Sequence, residues 1–107
     1  MKCENGIYCF GFFDNELYGW DATDTIDEMG LYTNTIEKGK VIKHIETLPL
    51  ALMCSLGKSK DVFTGEEFPA GFYDDGQFRF TTDFLRYYKQ GKVGLPYEYE
   101  EYLKGIL

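Results

Sequence analysis

The sequence predicts an α+β fold: antiparallel β-hairpins forming a small sheet, with two or three short helices packed on one face. Three observations carry that prediction. Runs rich in Phe, Tyr, Ile and Val are joined by two-residue turn signals, Asp14-Asn15, Lys38-Gly39 and Asp75-Gly76. Helix-capping residues bracket the segments 83–90 and 97–104. Nine Phe, nine Tyr and one Trp make up 18% of the chain, and each ring can bury about 150–250 Å². That is enough apolar surface to close one core. At 107 residues the chain fits a single domain, residues 1–107, with no metal or disulfide staple.

Taken in order, Ile7–Phe13 and Glu16–Trp20 flank Asp14-Asn15, which sets Phe12 opposite Leu17 and Cys9 opposite Trp20. Both faces of this hairpin carry large apolar groups, so it is expected to be covered on both sides. Asp21-Ala22-Thr23-Asp24 offers N-cap residues for a short turn ending at Met29, with Gly30 as the stop. A second hairpin pairs Leu31–Glu37 with Lys40–Thr47 across Lys38-Gly39. It sets Ile36 opposite Val41 and Tyr32 opposite Ile45, with Thr33, Thr35, Lys40 and His44 on a wet face. Pro49–Leu56, bracketed by Pro49 and Gly57, reads as a helix in preference to a buried strand. The third hairpin has the strongest signal, Asp75-Gly76, and places Tyr73 opposite Phe78. Thr81 or Thr82 then caps a helix over Asp83–Gln90, with Gly91 at the C′ position. Pro96 suits the first position of a last helix running to Lys104, whose stripe is Tyr99, Tyr102 and Leu103.

Charge narrows the classes of partner. The net charge is −7, and it is concentrated at the two ends. Residues 1–30 carry seven acids against Lys2 alone, while residues 31–60 carry five lysines against Glu37 and Glu46. Phosphate backbones and anionic membranes repel such a chain, so direct nucleic-acid and membrane binding are disfavoured. The start has no apolar signal core, and no run approaches the ~18 residues that a spanning helix needs. Three cysteines, Cys3, Cys9 and Cys54, form no CxxC pair and leave an odd count. A reducing cytoplasm is the expected compartment.

The chemistry-bearing residue types form no recognisable catalytic or metal motif. Gly57-Lys58-Ser59 resembles the tail of a phosphate loop but lacks the upstream glycine. His44 could pair with Cys54 and Glu46, yet Leu52, Met53 and Leu56 surround that thiol with apolar side chains, which disfavour a thiolate. Cys3, Cys9, His44 and Cys54 fit no zinc-knuckle spacing. Asp74-Asp75, Glu66-Glu67 and Glu100-Glu101 are adjacent pairs, and adjacent residues face apart on a strand or helix. The expectation is a non-enzyme with no cofactor and no metal.

Tyr is more abundant than a core needs, because its hydroxyl wants water or a partner. The expected function is therefore a small acidic binding module, an inhibitor, immunity-type partner or adaptor for a protein with a basic surface. Its contact residues are expected in the last helix, at Tyr97, Glu98, Tyr99, Glu101 and Tyr102. The loop segment 63–72, with Glu66, Glu67 and Phe68, is the second candidate. Three alternatives stand beside this reading. One is mimicry of nucleic acid, with carboxylates spaced like phosphates. Another is a small-ligand or hydrolytic pocket lined by Trp20, Phe72 and Tyr87. The third is a homodimer with a self-complementary aromatic surface.

Overall fold

The computed structural model describes residues 1–13, 22–52 and 58–107. Its strands are β1 (Lys2–Glu4), β2 (Ile7–Phe10), β3 (Leu50–Leu52), β4 (Lys58–Lys60), β5 (Glu67–Pro69), β6 (Gly71–Asp75) and β7 (Phe78–Thr81). Its helices are α1 (Ile26–Gly30), α2 (Lys38–Glu46), α3 (Thr82–Lys89) and α4 (Tyr97–Ile106). The main sheet has the order β1-β2-β7-β6-β3, and β4 and β5 form a separate antiparallel ladder. The chain is α+β, as its sequence implies.

Aromatic pairs hold the middle of the sheet. β2 runs parallel to β7, with Tyr8 beside Phe78 and Phe10 beside Phe80. Phe10 and Phe80 stack with ring centroids 5.0 Å apart, and Phe84 of α3 meets Phe10 edge-on at 5.0 Å. Tyr8, Phe10, Tyr73, Phe78 and Phe80 share one face of the sheet, and every helix adds buried side chains to the cluster over it: Met29, Val41 and Ile45, Phe84 and Tyr87, Tyr99 and Leu103. The parallel pair makes the sheet mixed. A crossover of this kind joins segments far apart in sequence, so no turn signal announces it.

The structure corrects the sequence reading in two places, at 38–46 and at 50–52. Asp14-Asn15 and Glu16–Trp20 lie outside the described residues. The antiparallel partner of β2 is β1, joined through Asn5-Gly6, both at positive φ (52° and 79°). That is the backbone that Asn-Gly turns favour. The segment 38–46 is a helix and not half of a hairpin. Val41 and Ile45 are buried and one helical turn apart, while Lys43 is exposed. In a strand Lys43 would share the apolar face of Val41 and Ile45, so burial of that pair alone requires the helical period. Leu50–Leu52 is strand β3, antiparallel to β6, in place of the expected helix; residues 53–57 lie outside the description.

The β6–β7 hairpin forms as expected but turns one residue later. Tyr73 pairs with Phe80 and Asp75 with Phe78, which leaves Gly76-Gln77 as the loop. Gly76, at φ 59°, holds the first central position, the place of glycine in type II′ turns. The shift keeps Phe78 and Phe80 on the core face and turns Asp75 inward with them.

The helix ends follow local rules. Thr25 caps α1 by accepting the Glu28 amide (3.0 Å), a role expected from residues 21–24. Thr81 caps α3 by accepting the Phe84 amide (3.1 Å). Beyond α3, the amides of Gly91 and Lys92 return to the carbonyls of Tyr88 and Tyr87 (3.0 and 2.9 Å), the Schellman pattern with glycine at C′. Pro96 stands just before α4, and the helix continues through Gly105 to Ile106.

Gly11 joins these parts. Its amide donates to Asp24 (3.2 Å), and its carbonyl accepts the Thr81 hydroxyl. It has φ 73°, and an added Cβ would lie 2.5 Å from Phe84 Cβ. Phe84 Cβ is fixed to its backbone and cannot swing away. Gly11→Ala is expected to destabilise the fold by at least ~2 kcal/mol, from left-handed strain plus overpacking. Urea denaturation measures this, and an unchanged midpoint would contradict the packing of β2 against α3.

Candidate functional site

The site grows from a seam between residues 29–36 and 94–100. The Asn34 side chain accepts from the Leu95 amide (2.8 Å) and donates to its carbonyl (3.0 Å), copying the pairing of a strand neighbour. Buried Glu100 of α4 accepts the amides of Thr35 (2.7 Å) and Ile36 (3.1 Å) through one oxygen. Burial alone would raise the Glu100 pKa. The Ile36 and Thr35 amides, the Asn34 side chain and the Lys104 charge outweigh it and hold the carboxyl below its ordinary value. Gly94 donates to the Met29 carbonyl (2.8 Å) and lies so close to Tyr32 that a Cβ would meet its carbonyl oxygen at 2.5 Å.

This seam sets Tyr32 against Tyr97, edge to face, with centroids 5.0 Å apart and planes at 75°. Leu31, just before Tyr32, is 80% exposed, and Tyr97 is 47% exposed. Burial raises the Tyr32 hydroxyl pKa, and Asp24, Glu98, Glu28 and Tyr97 push it the same way.

Lys92 links this patch to a second exposed segment. Its carbonyl lies close against Gly30, and its ammonium sits 4.7 Å from the centroid of the Phe63 ring. Phe63 and Val62, 47% and 69% exposed, form the tip of a loop held by Asp61. The buried Asp61 carboxylate accepts the amides of Phe63 (2.7 Å) and Thr64 (3.0 Å). It also accepts the Gln90 side chain (2.7 Å) and the Arg86 guanidinium. Against its burial, the bonds from Arg86, Gln90 and these amides hold the Asp61 pKa well below the ordinary carboxylate range. Tyr87 anchors the loop further, its hydroxyl accepting the Val62 amide (3.1 Å). Two exposed segments result: Val62 and Phe63 on the loop that Asp61 holds, and Leu31 and Tyr97 at the Tyr32–Tyr97 corner.

The residues expected to form the contact surface separate into two sets. Tyr97, Glu98 and Glu101 are exposed on α4. Tyr99 is fully buried and Tyr102 half-buried, and their hydroxyls donate to Asp75 (2.7 and 3.2 Å), so the expected stripe faces the core. Burial, then the Asp75 carboxylate, raises the Tyr99 pKa far above its ordinary value. Glu66 is exposed and pairs with Arg86 (3.1 Å), and Glu67 is exposed on β5 opposite Lys60. Phe68 is buried, with the Arg86 guanidinium 4.9 Å from its ring centroid. Leu31, Tyr32, Glu28 and Val62 enter the surface without having been singled out. The signal for Leu31 and Tyr32 was their place directly after the Gly30 stop, where a loop begins.

The other candidate constellations disperse. His44 Nε2 meets Asp75 (2.8 Å), Glu46 pairs with Lys89 (3.6 Å), and Cys54 lies outside the described residues. Cys9 sits on the sheet face away from His44, in register with Arg79. Among the described residues, no three His, Cys, Asp or Glu side chains cluster in a way that could hold a metal ion. The pair Asp74-Asp75 divides, with Asp74 outward on Arg79 (2.6 and 3.0 Å) and Asp75 inward. Phe72 and Tyr87 belong to different apolar clusters, and Trp20 is not described. Lys58 and Ser59 lie on β4, where Ser59 donates to Asp83 (2.6 Å). No helix among the described residues is long and apolar enough to cross a membrane.

Set against known protein families, curated proteins and solved structures, the chain matches none.

Glu100 and Asp61 both have folded-state pKa values below their ordinary 4.5 and 3.8. The folded protein then binds fewer protons than the unfolded chain. The stability they supply is complete above those ordinary values and drains away as the pH falls below them. Glu100→Gln is expected to lower the urea midpoint at neutral pH and to flatten its decline on acidification. An acid slope as steep as that of the parent protein would contradict the role given to Glu100.

Proposed function

We propose that this protein is a small acidic binding module that acts without catalysis, as an inhibitor, immunity-type partner or adaptor. Its partner is a protein with a basic surface. One observation carries the reading: Leu31, Tyr97, Val62 and Phe63 are exposed near segments that the partly buried bonds of Glu100 and Asp61 tie to the rest of the chain. Large apolar side chains on immobilised turns lose little further entropy on docking, which favours them as contact residues. Glu98 follows Tyr97 on α4, and Glu28 stands on α1 four residues before Tyr32, so a partner carrying Lys or Arg gains at its rim and in its rate of encounter.

Leu31→Ser and Val62→Ser test the reading because both side chains point mainly into solvent. Surface changes of this kind usually alter stability by less than about 0.5 kcal/mol. A protein captured from the native host by the parent chain is expected to bind the double variant at least about tenfold more weakly, a loss of ~1.4 kcal/mol. Equal affinity, with both forms equally stable, would place the contact surface elsewhere.

A further inference from the structure

We propose that the Tyr32–Tyr97 corner, flanked by Glu28 and Glu98, is the docking point for an arginine side chain of the partner. The inference rests on the binding-module reading and specifies the group that the acidic end of the surface receives.

The aromatic rings elsewhere set the comparison. Four cations already sit over ring faces within the molecule: Lys38 on Tyr88, Arg79 on Phe72, Arg86 on Phe68 and Lys92 on Phe63, at 4.7 to 5.2 Å from the centroids. Among the described residues, neither Tyr32 nor Tyr97 has such a cation. The carboxylates tell the same story. Asp24, Glu46, Asp61, Glu66, Asp74, Glu100 and Glu101 all have ion-pair partners within the chain. Among the described residues, Glu28 and Glu98 form no ion pair, a property they share with Asp27, Glu37 and Glu67. Of the exposed rings among the described residues, Phe63 has Lys92 over it, whereas Tyr97, next to Glu98 on α4, has no chain cation.

Ring faces are electron-rich and attract cations, and the negative charges of Glu28 and Glu98 add an attraction of the same sign. A guanidinium suits this geometry better than an ammonium, because it is planar, stacks on a ring and can fork its N–H donors to a carboxylate. Leu31 at the same corner supplies apolar surface for the methylene stem of the incoming side chain. The seam through Asn34, Glu100 and Gly94 holds both rings in place before any ligand arrives, so little ordering is left to binding.

The test is an NMR titration of the full chain with a short arginine-glycine peptide, beside lysine and citrulline peptides of the same length. Saturable shifts of the Tyr32 and Tyr97 ring resonances are expected, tightest with arginine and absent with uncharged citrulline. Glu98→Gln and Glu28→Gln should each weaken binding several-fold. Tyr97→Phe should retain it and Tyr97→Leu abolish it, since the ring face and not the hydroxyl does the holding. Citrulline shifts equal to those of arginine, or no saturable arginine shift, would overturn the proposal. If the captured partner still depends on Leu31 and Val62 while the arginine peptide leaves the rings unmoved, the anchor is refuted and the binding-module reading survives.

Discussion

The exposed surface depends on a carboxylate that is itself buried. Glu100 sits on α4, and the amides it holds, Thr35 and Ile36, are up to 65 residues away in sequence. A buried carboxylate without donors would cost several kcal/mol; with two backbone amides and a nearby lysine it becomes a fixed joint. Because the joint lies one helical turn from Tyr97, it settles which way the first turn of α4 faces and what packs beside it. Asp75 performs the matching task on the inner side, drawing in Tyr99 and Tyr102 from α4 and His44 from α2. Between these two acids the helix has a single orientation, with Tyr99 and Leu103 inward and Tyr97 and Glu98 outward.

The aromatic excess is thereby divided between two tasks. Phe10, Phe78, Phe80 and Phe84 stack into the sheet–helix core with Tyr99 among them. The buried tyrosines remain neutral, as for Tyr88, whose pKa burial pushes up to about 12. Four rings, from buried Tyr88 and Phe68 to exposed Phe63, receive cations from the chain itself. What remains open is Tyr97 with half-buried Tyr32, next to Leu31 and Glu98 in the chain. The proposed surface is the part of this division that the chain does not complete internally.

Local signals in the sequence were read well where the fold obeys local rules. Thr81, Gly91 and the Asp75-Gly76 turn announce the β6–β7–α3 unit, because capping and turn geometry depend on a few neighbouring residues. The Asn5-Gly6 hairpin carries an equally local signal, but its strands are short and β1 bears Lys2 and Glu4, so little hydrophobic pattern flags it. Segment 38–46 misleads for another reason. Val and Ile at positions 41, 42 and 45 favour a strand by propensity, and only the core they enter selects the helix. The parallel pairing of β2 with β7 and the reach of Glu100 to Thr35 are long-range, and nothing nearby in sequence specifies them. At the site, Tyr97 and Glu98 could be found from the surplus of Tyr, whereas Tyr32 joins them only through the seam that Glu100 and Asn34 make.

A preformed surface makes a direct demand on the free protein. The Thr35 and Ile36 amides lie in a segment with no helix or strand of its own, so only Glu100 shields them from exchange with water. Native-state hydrogen exchange followed by NMR measures that shielding residue by residue. Protection of both amides close to that of the Phe84 amide in the core would establish that the Tyr32–Tyr97 corner exists before any partner binds. Exchange at the rate of an open loop would contradict the account, because the two tyrosines would then meet only transiently.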